Sequence, residues 1–175
     1  MARVKTERIL IASIGVCLLA LAWAVFDTFR EKVVVAGDSA PGFSITTDAG
    51  RVVSRSNFGG KLLVLNFWAS WCPPCLEEMP SLNQFQKALA GDGVVVVGVS
   101  VDQNERAYKK FLSRVPLAFE TARDPDNKIN AEYGTFKFPE TYIIDRAGKV
   151  VEKIVGPTDW SDPVTIGRIK ALAAS

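Results

Sequence analysis

The stretch Asn66-Phe67-Trp68-Ala69-Ser70-Trp71-Cys72-Pro73-Pro74-Cys75-Leu76-Glu77-Glu78-Met79-Pro80 joins two kinds of pattern, and two cysteines stand at the join. Leu62–Trp68 is a continuous apolar run without helical period, as expected of a buried central strand. From Pro73 onward Leu82, Phe85 and Leu89 recur at spacings of three and four until Gly91-Asp92-Gly93 stops them, which predicts a helix. Pro80 is expected to kink that helix near its first turns. Cys72 therefore sits where a strand gives way to a helix N-terminus, the place where a thiolate is easiest to form and to reach. The pattern points to dithiol-disulfide exchange.

Composition removes the other uses of a C-x-x-C pair. Haem attachment needs His after the second cysteine, and here stands Leu76. A structural zinc wants four Cys or His ligands; the chain has no histidine and only one further cysteine, Cys17. A structural disulfide closing so short a loop would constrain the unfolded chain little. Neither a metal nor a cofactor is expected.

Without imidazole, the Cys72 thiol must be acidified mainly by the helix N-terminus, through unpaired N–H groups and the macrodipole. An effect of about 2 kcal/mol would lower its pKa by about 1.5 units, from about 8.5 towards 7. Cys72 is then the attacking thiol, and Cys75, one turn further in, the resolving thiol. Pro73 and Pro74 carry no N–H, which leaves the Cys75 N–H and thiol as the local donors to Cys72. A poorly stabilised thiolate means a poorly stabilised reduced form, hence a low potential and a reducing role.

At 175 residues, 48% of them hydrophobic, the chain can bury one ordinary core. An appendage at 1–29 is expected to precede it. Arg3, Lys5 and Arg8 lead into Ile9–Phe26, which holds no charged residue and reaches about 27 Å as a helix. A cleaved signal peptide would use Ala20-Leu21-Ala22 or Ala22-Trp23-Ala24; the length of the run and its outer Trp23 and Phe26 favour an uncleaved anchor. Val16 fits poorly before a lipidated cysteine, so Cys17 reads as a buried small apolar residue. In either case the basic leader stays inside and the domain faces outward, on the cytoplasmic membrane. Residues 30–40 read as a linker and 41–175 as the domain. The leader removed, 18 basic and 18 acidic residues remain, so no electrostatic footprint for nucleic acid exists.

Along the domain, Phe43–Ile45 and Arg51–Val53 suggest a short hairpin, and Val94–Val101 a second buried strand. Glu105–Arg114 and Asp126–Tyr133 read as short helices. Thr141–Ile144 and Lys149–Val155 form a hairpin around Asp145-Arg146-Ala147-Gly148, and a last helix starts at Ser161-Asp162-Pro163. The order predicts an α/β fold with a mixed central sheet flanked by helices.

The cysteine motif, Glu77-Glu78-Met79-Pro80 after it, Ala40-Pro41-Gly42-Phe43 before it and Phe138-Pro139-Glu140-Thr141-Tyr142-Ile143-Ile144-Asp145 downstream resemble the TlpA/ResA/CcmG group of membrane-tethered thioredoxin-like proteins. The resemblance covers about Gly37 to Ala173. It implies a thioredoxin-like fold with an added N-terminal hairpin and an insertion at about Val101–Lys137. A monomer is expected, and the resemblance implies reduction of protein disulfides outside the cytoplasm, such as the cysteine pair of an apocytochrome c. A membrane thiol carrier of the CcdA/DsbD type would recharge it. Pro139 matches the family's cis-proline, whose role would be to hold a backbone edge open for a substrate strand beside Phe138. Glu78 matches a family glutamate that handles protons at the site; three residues from Cys75, it shares a helix face with it. Asn66 stands where thioredoxin carries a buried aspartate, so that proton role must be absent or taken by Glu78. Trp71, Pro73 and Phe138 would form an apolar landing patch for the substrate peptide, and Glu77 reads as surface.

Three alternatives compete. A peroxiredoxin-like thiol peroxidase shares the opening segment, yet such enzymes place Thr or Ser three residues before the attacking cysteine, where this chain has Ala69. An oxidising or isomerising thioredoxin-fold protein would share every motif. A binding module with a vestigial pair would need no reactive Cys72. Asp102 and Glu105 make the start of the insertion polar, as a solvated loop would be.

Overall fold

The computed structural model describes residues 2–28 and 33–174, with side chains for 11–25 and 33–174. The chain divides into two compact units, Met1–Lys32 and Val33–Ser175. The first contains helix α1, Ala2–Thr28. Among the described residues no helix is long and apolar enough to cross a membrane. Ile9, Leu10 and Phe26, which complete the expected span, lie outside the residues with described side chains. Cys17, expected to be buried, is exposed on α1.

The second unit is built on β3 (Leu62–Trp68), whose seven residues are all buried. It pairs in parallel with β4 (Val94–Ser100) and antiparallel with β6 (Glu140–Asp145). β5 (Glu120–Arg123) extends the parallel side and β7 (Val150–Val155) the antiparallel side, giving the order β5-β4-β3-β6-β7. A central strand covered on both faces explains the unbroken apolar run. Alternate β3 residues serve two cores. Leu62, Val64 and Trp68 pack with α2 (Pro73–Leu89), α3 (Glu105–Leu112) and α5 (Pro163–Ala174). Leu63, Leu65 and Phe67 pack with Phe43, Val53 and Tyr133, the last from α4 (Lys128–Tyr133).

The hairpin β1 (Ser44–Thr46) and β2 (Val52–Ser54) covers the β5 end of the sheet. Asp48 N–H donates to the Thr121 carbonyl at 2.9 Å, and Arg51 Nε meets Glu120 Oε1 at 2.6 Å. That cover blunts an edge strand which would otherwise expose its unpaired groups. Residues 33–40, expected to be part of a free linker, lie on the domain instead. Val34 N–H donates to the Tyr133 carbonyl, and Gly37 and Ala40 N–H to the carbonyls of Val150 and Gly148.

One further difference from expectation bears on the site. The insertion is not loop and helix alone: Glu120–Arg123 forms a parallel strand. Its companion Gly98 is required by packing, since a Cβ there would stand 2.8 Å from Trp68 Nε1. Helix α2 runs on through Pro80 to Leu89.

Candidate active site

Cys72 is the N-cap of α2, in extended conformation, with Pro73 and Pro74 in the first two helical positions. Neither proline can donate, and the Cys75 N–H donates to Cys72 Sγ at 3.3 Å. The two cysteines are joined as a disulfide with their Cα atoms 5.3 Å apart. Cys75 is wholly buried and Cys72 is 4% exposed, so an incoming sulfur meets Cys72 first. Each loss of an orphan donor to proline leaves the sulfur less stabilised, as the spacing of the motif implies.

Trp71 and Phe138 are brought together from sequence positions 67 apart. Their rings meet edge to face at 6.1 Å, Trp71 being 63% exposed. Phe138 also packs against the apolar cluster that contains Cys72 and Cys75. Its bond to Pro139 is cis. Pro73 is exposed. A depression of about 600 Å³ opens between Trp71, Phe138 and the insertion, where Gln103, Asn104, Asn130 and Phe136 line it. Phe136 is 65% exposed there, and no periodic pattern in the sequence singles it out.

Glu78 is 3% exposed, one turn beyond Cys75. Its Oε1 accepts from Asn66 Nδ2 at 2.8 Å, and its Oε2 from Thr158 N–H and Trp160 Nε1, each at 3.2 Å. Burial pushes the carboxyl above the usual carboxylate range, and those three donors pull part of the way back. Trp160 and Thr158 follow β7, far from Glu78 in sequence, and no local pattern points to them. Glu77 is exposed.

Asp102, read from the sequence only as part of a polar start to the insertion, is 1% exposed and ties the cysteine loop to β4. It accepts from Ser70 N–H at 2.8 Å, from Ser70 Oγ at 2.7 Å and from Ser100 Oγ at 2.6 Å. Among the described residues no group of three His, Cys, Asp or Glu side chains could hold a metal ion.

A disulfide at a helix N-terminus, at the end of the central strand of a five-stranded mixed sheet, defines a thiol-disulfide oxidoreductase of thioredoxin fold. The chain belongs to the AhpC/TSA family, whose profile matches residues 36–153, and to the ResA-like thiol-disulfide oxidoreductases. It is 34% identical over 157 residues to the thiol-disulfide oxidoreductase ResA of Bacillus cereus, covering 87% of this chain and 90% of that one. The thioredoxin-like protein YneN of Bacillus subtilis is 37% identical over 139 residues, covering 77% and 81%. Among solved structures, a Chlorobium tepidum protein assigned as thiol:disulfide interchange protein DsbE superposes with TM-score 0.69 at 36% identity, covering 82% of this chain and 99% of that one. StoA of Bacillus subtilis superposes with TM-score 0.64 at 26% identity, covering 78% and 98%.

Proposed function

We propose that the protein is a monomeric extracytoplasmic reductant of protein disulfides, tethered to the cytoplasmic membrane by its N-terminal helix. The observation that carries the reducing direction is the starved sulfur of Cys72. Two prolines occupy the first helical turn, and the Cys75 N–H is the donor that reaches it. The reduced form gains little stabilisation, so its electrons pass readily to a client.

The Cys72 thiolate attacks one sulfur of the client disulfide; that S–S bond breaks, and the other client sulfur leaves as a thiolate. Cys75 then gives its proton to the Glu78 carboxylate and attacks Cys72 Sγ. The mixed disulfide breaks, the second client sulfur leaves, and the Cys72–Cys75 disulfide remains. Two electrons have passed to the client. A membrane thiol carrier of the CcdA/DsbD type would restore them. An extended client segment would lie along Phe138 and Pro139, its apolar side chains against Trp71 and Pro73. The cysteine pair of an apocytochrome c before haem attachment is the client class that the family resemblance favours.

Equilibration of the Cys72–Cys75 pair against glutathione or dithiothreitol tests the direction. A potential near or below about −250 mV is expected, and one above about −150 mV would mean an oxidant or isomerase. Protease added to intact spheroplasts tests the topology: digestion of the domain is expected, and full protection would place it inside.

A further inference from the structure

Asn66 lies in the middle of β3, wholly buried, between Gly98 of β4 and Thr141 of β6. Its Nδ2 donates twice, to Glu78 Oε1 at 2.8 Å and to Thr141 Oγ1 at 2.9 Å. Its Oδ1, equally buried, has no hydrogen-bond partner. Such an orphan inside a central strand is rare, because a buried acceptor without a donor forfeits its hydration for nothing. The amide has its donor end fully used and its acceptor end idle.

The surroundings of Glu78 show which state this orientation serves. Its three partners are all N–H donors, from Asn66, Thr158 and Trp160. Among the described residues no lysine or arginine is paired with it. The other titratable groups nearby are the exposed Glu77 and Asp159; Cys75, one turn earlier on α2, is held in the disulfide. The sheet side offers Asn66 and Thr141, neither of which titrates. This is a receptor for a carboxylate, held by dipoles alone. When Glu78 takes up a proton, its O–H becomes a donor facing Asn66 Nδ2, another donor.

We propose that Asn66 is a positioning residue for the resolving step, its side-chain amide turning over with the charge of Glu78. Facing the carboxylate it presents Nδ2, as seen here. Facing the carboxylic acid it presents Oδ1, which takes both the Glu78 O–H and the Thr141 O–H, and the idle atom is then Nδ2. An aspartate at this position would add a second charge to the same buried space, and an aliphatic residue would answer neither state. The amide answers both, so one buried carboxyl can take the Cys75 proton and lose it again. It loses it to solvent through a depression of about 360 Å³ lined by Glu78, Ser81, Thr158 and Asp159, which shares no residue with the depression beside Trp71. A client covering Cys72 would leave that exit open.

This inference rests on the proton-acceptor role given to Glu78 above, and the two can be separated. In the oxidised full-length protein, the Glu78 carboxyl carbon and the Asn66 side-chain amide are followed by NMR across the pH range. The expected result is a common midpoint for both, with the two Asn66 amide protons exchanging their contacts to Thr141. Asn66→Leu is expected to raise the Glu78 midpoint by about one unit, a tenfold gain in proton affinity. Loss of a static Asn66 that only donates to the carboxylate would raise that midpoint as well, so the exchange of its amide contacts in the unmodified protein is the reading that distinguishes turnover. Asn66 resonances that stay flat through the Glu78 midpoint overturn the proposal, and this reading on the unmodified protein holds even if the leucine variant does not fold. Rapid-mixing measurement of Cys75 attack in Glu78→Gln tests the acceptor role by itself. An unslowed attack would sink that role and leave the amide titration to be judged separately.

Discussion

Asp102 grips Ser70 twice, through its backbone N–H at 2.8 Å and its hydroxyl at 2.7 Å, although the two residues are 32 positions apart. The cysteine loop is thereby fastened to the end of β4, next to the strand from which it springs. Ser100 completes the arrangement by donating to the same carboxylate at 2.6 Å. The loop that carries Trp71 and Cys72 is thus held from beneath by a buried anion.

Asp102→Ala removes three donors' partner in a buried place. Hydrogen bonds to charged groups are worth about 1.5–3 kcal/mol each, and unsatisfied donors remain behind, so a loss of about 3 kcal/mol in unfolding free energy is expected. Urea denaturation at unchanged slope measures it. A loss under about 1 kcal/mol would show the carboxylate to be dispensable.

The exposure difference between the cysteines predicts an asymmetric trap. With Cys17 replaced by alanine, the Cys75→Ser variant should accumulate a mixed disulfide with a client peptide, visible as an added mass removed by reductant. Cys72→Ser should accumulate none, because Cys75 is wholly buried. Equal trapping by both variants would refute the assignment of Cys72 as the attacking sulfur.

Glu78 links stability to pH in a direction that can be worked out beforehand. Burial raises its folded-state pKa above 4.5, so between that value and the raised one the folded protein binds more protons than the unfolded chain. Stability from this group is therefore present at low pH and lost as pH rises through the folded value. Glu78→Gln should flatten that decline, as read from urea midpoints at a series of pH values. A decline of the same size in the variant would assign it to another group.

What could be read from the sequence were the parts whose signal is local. The apolar run of β3, the prolines inside the motif and the hairpin around Gly148 each lie within one short window. The partners of Asp102, Glu78 and Trp160 do not: Trp160 reaches Glu78 across 82 positions. β5 escaped for a related reason. Glu120-Thr121-Ala122-Arg123 has little apolar character, and pairing with β4 together with cover from the β1–β2 hairpin makes it a strand. Such elements are set by tertiary contact rather than propensity.

The aromatic rim yields a prediction that separates client binding from sulfur chemistry. Trp71, Phe136 and Phe138 line the depression beside the cysteine loop, and the first two are more than half exposed, which a monomer does not need for its own core. Large rigid aromatics of this kind carry a disproportionate share of binding energy when a partner covers them. Trp71→Ala should therefore raise the KM for a disulfide-bearing protein client about tenfold, equivalent to about 1.4 kcal/mol. Reduction of a small disulfide such as that of a dinitrobenzoate reagent involves no such cover, and its rate should stay within about twofold. If both substrates slow equally, Trp71 acts on the cysteines themselves, through the loop that Asp102 holds, and the rim is not the client's landing place.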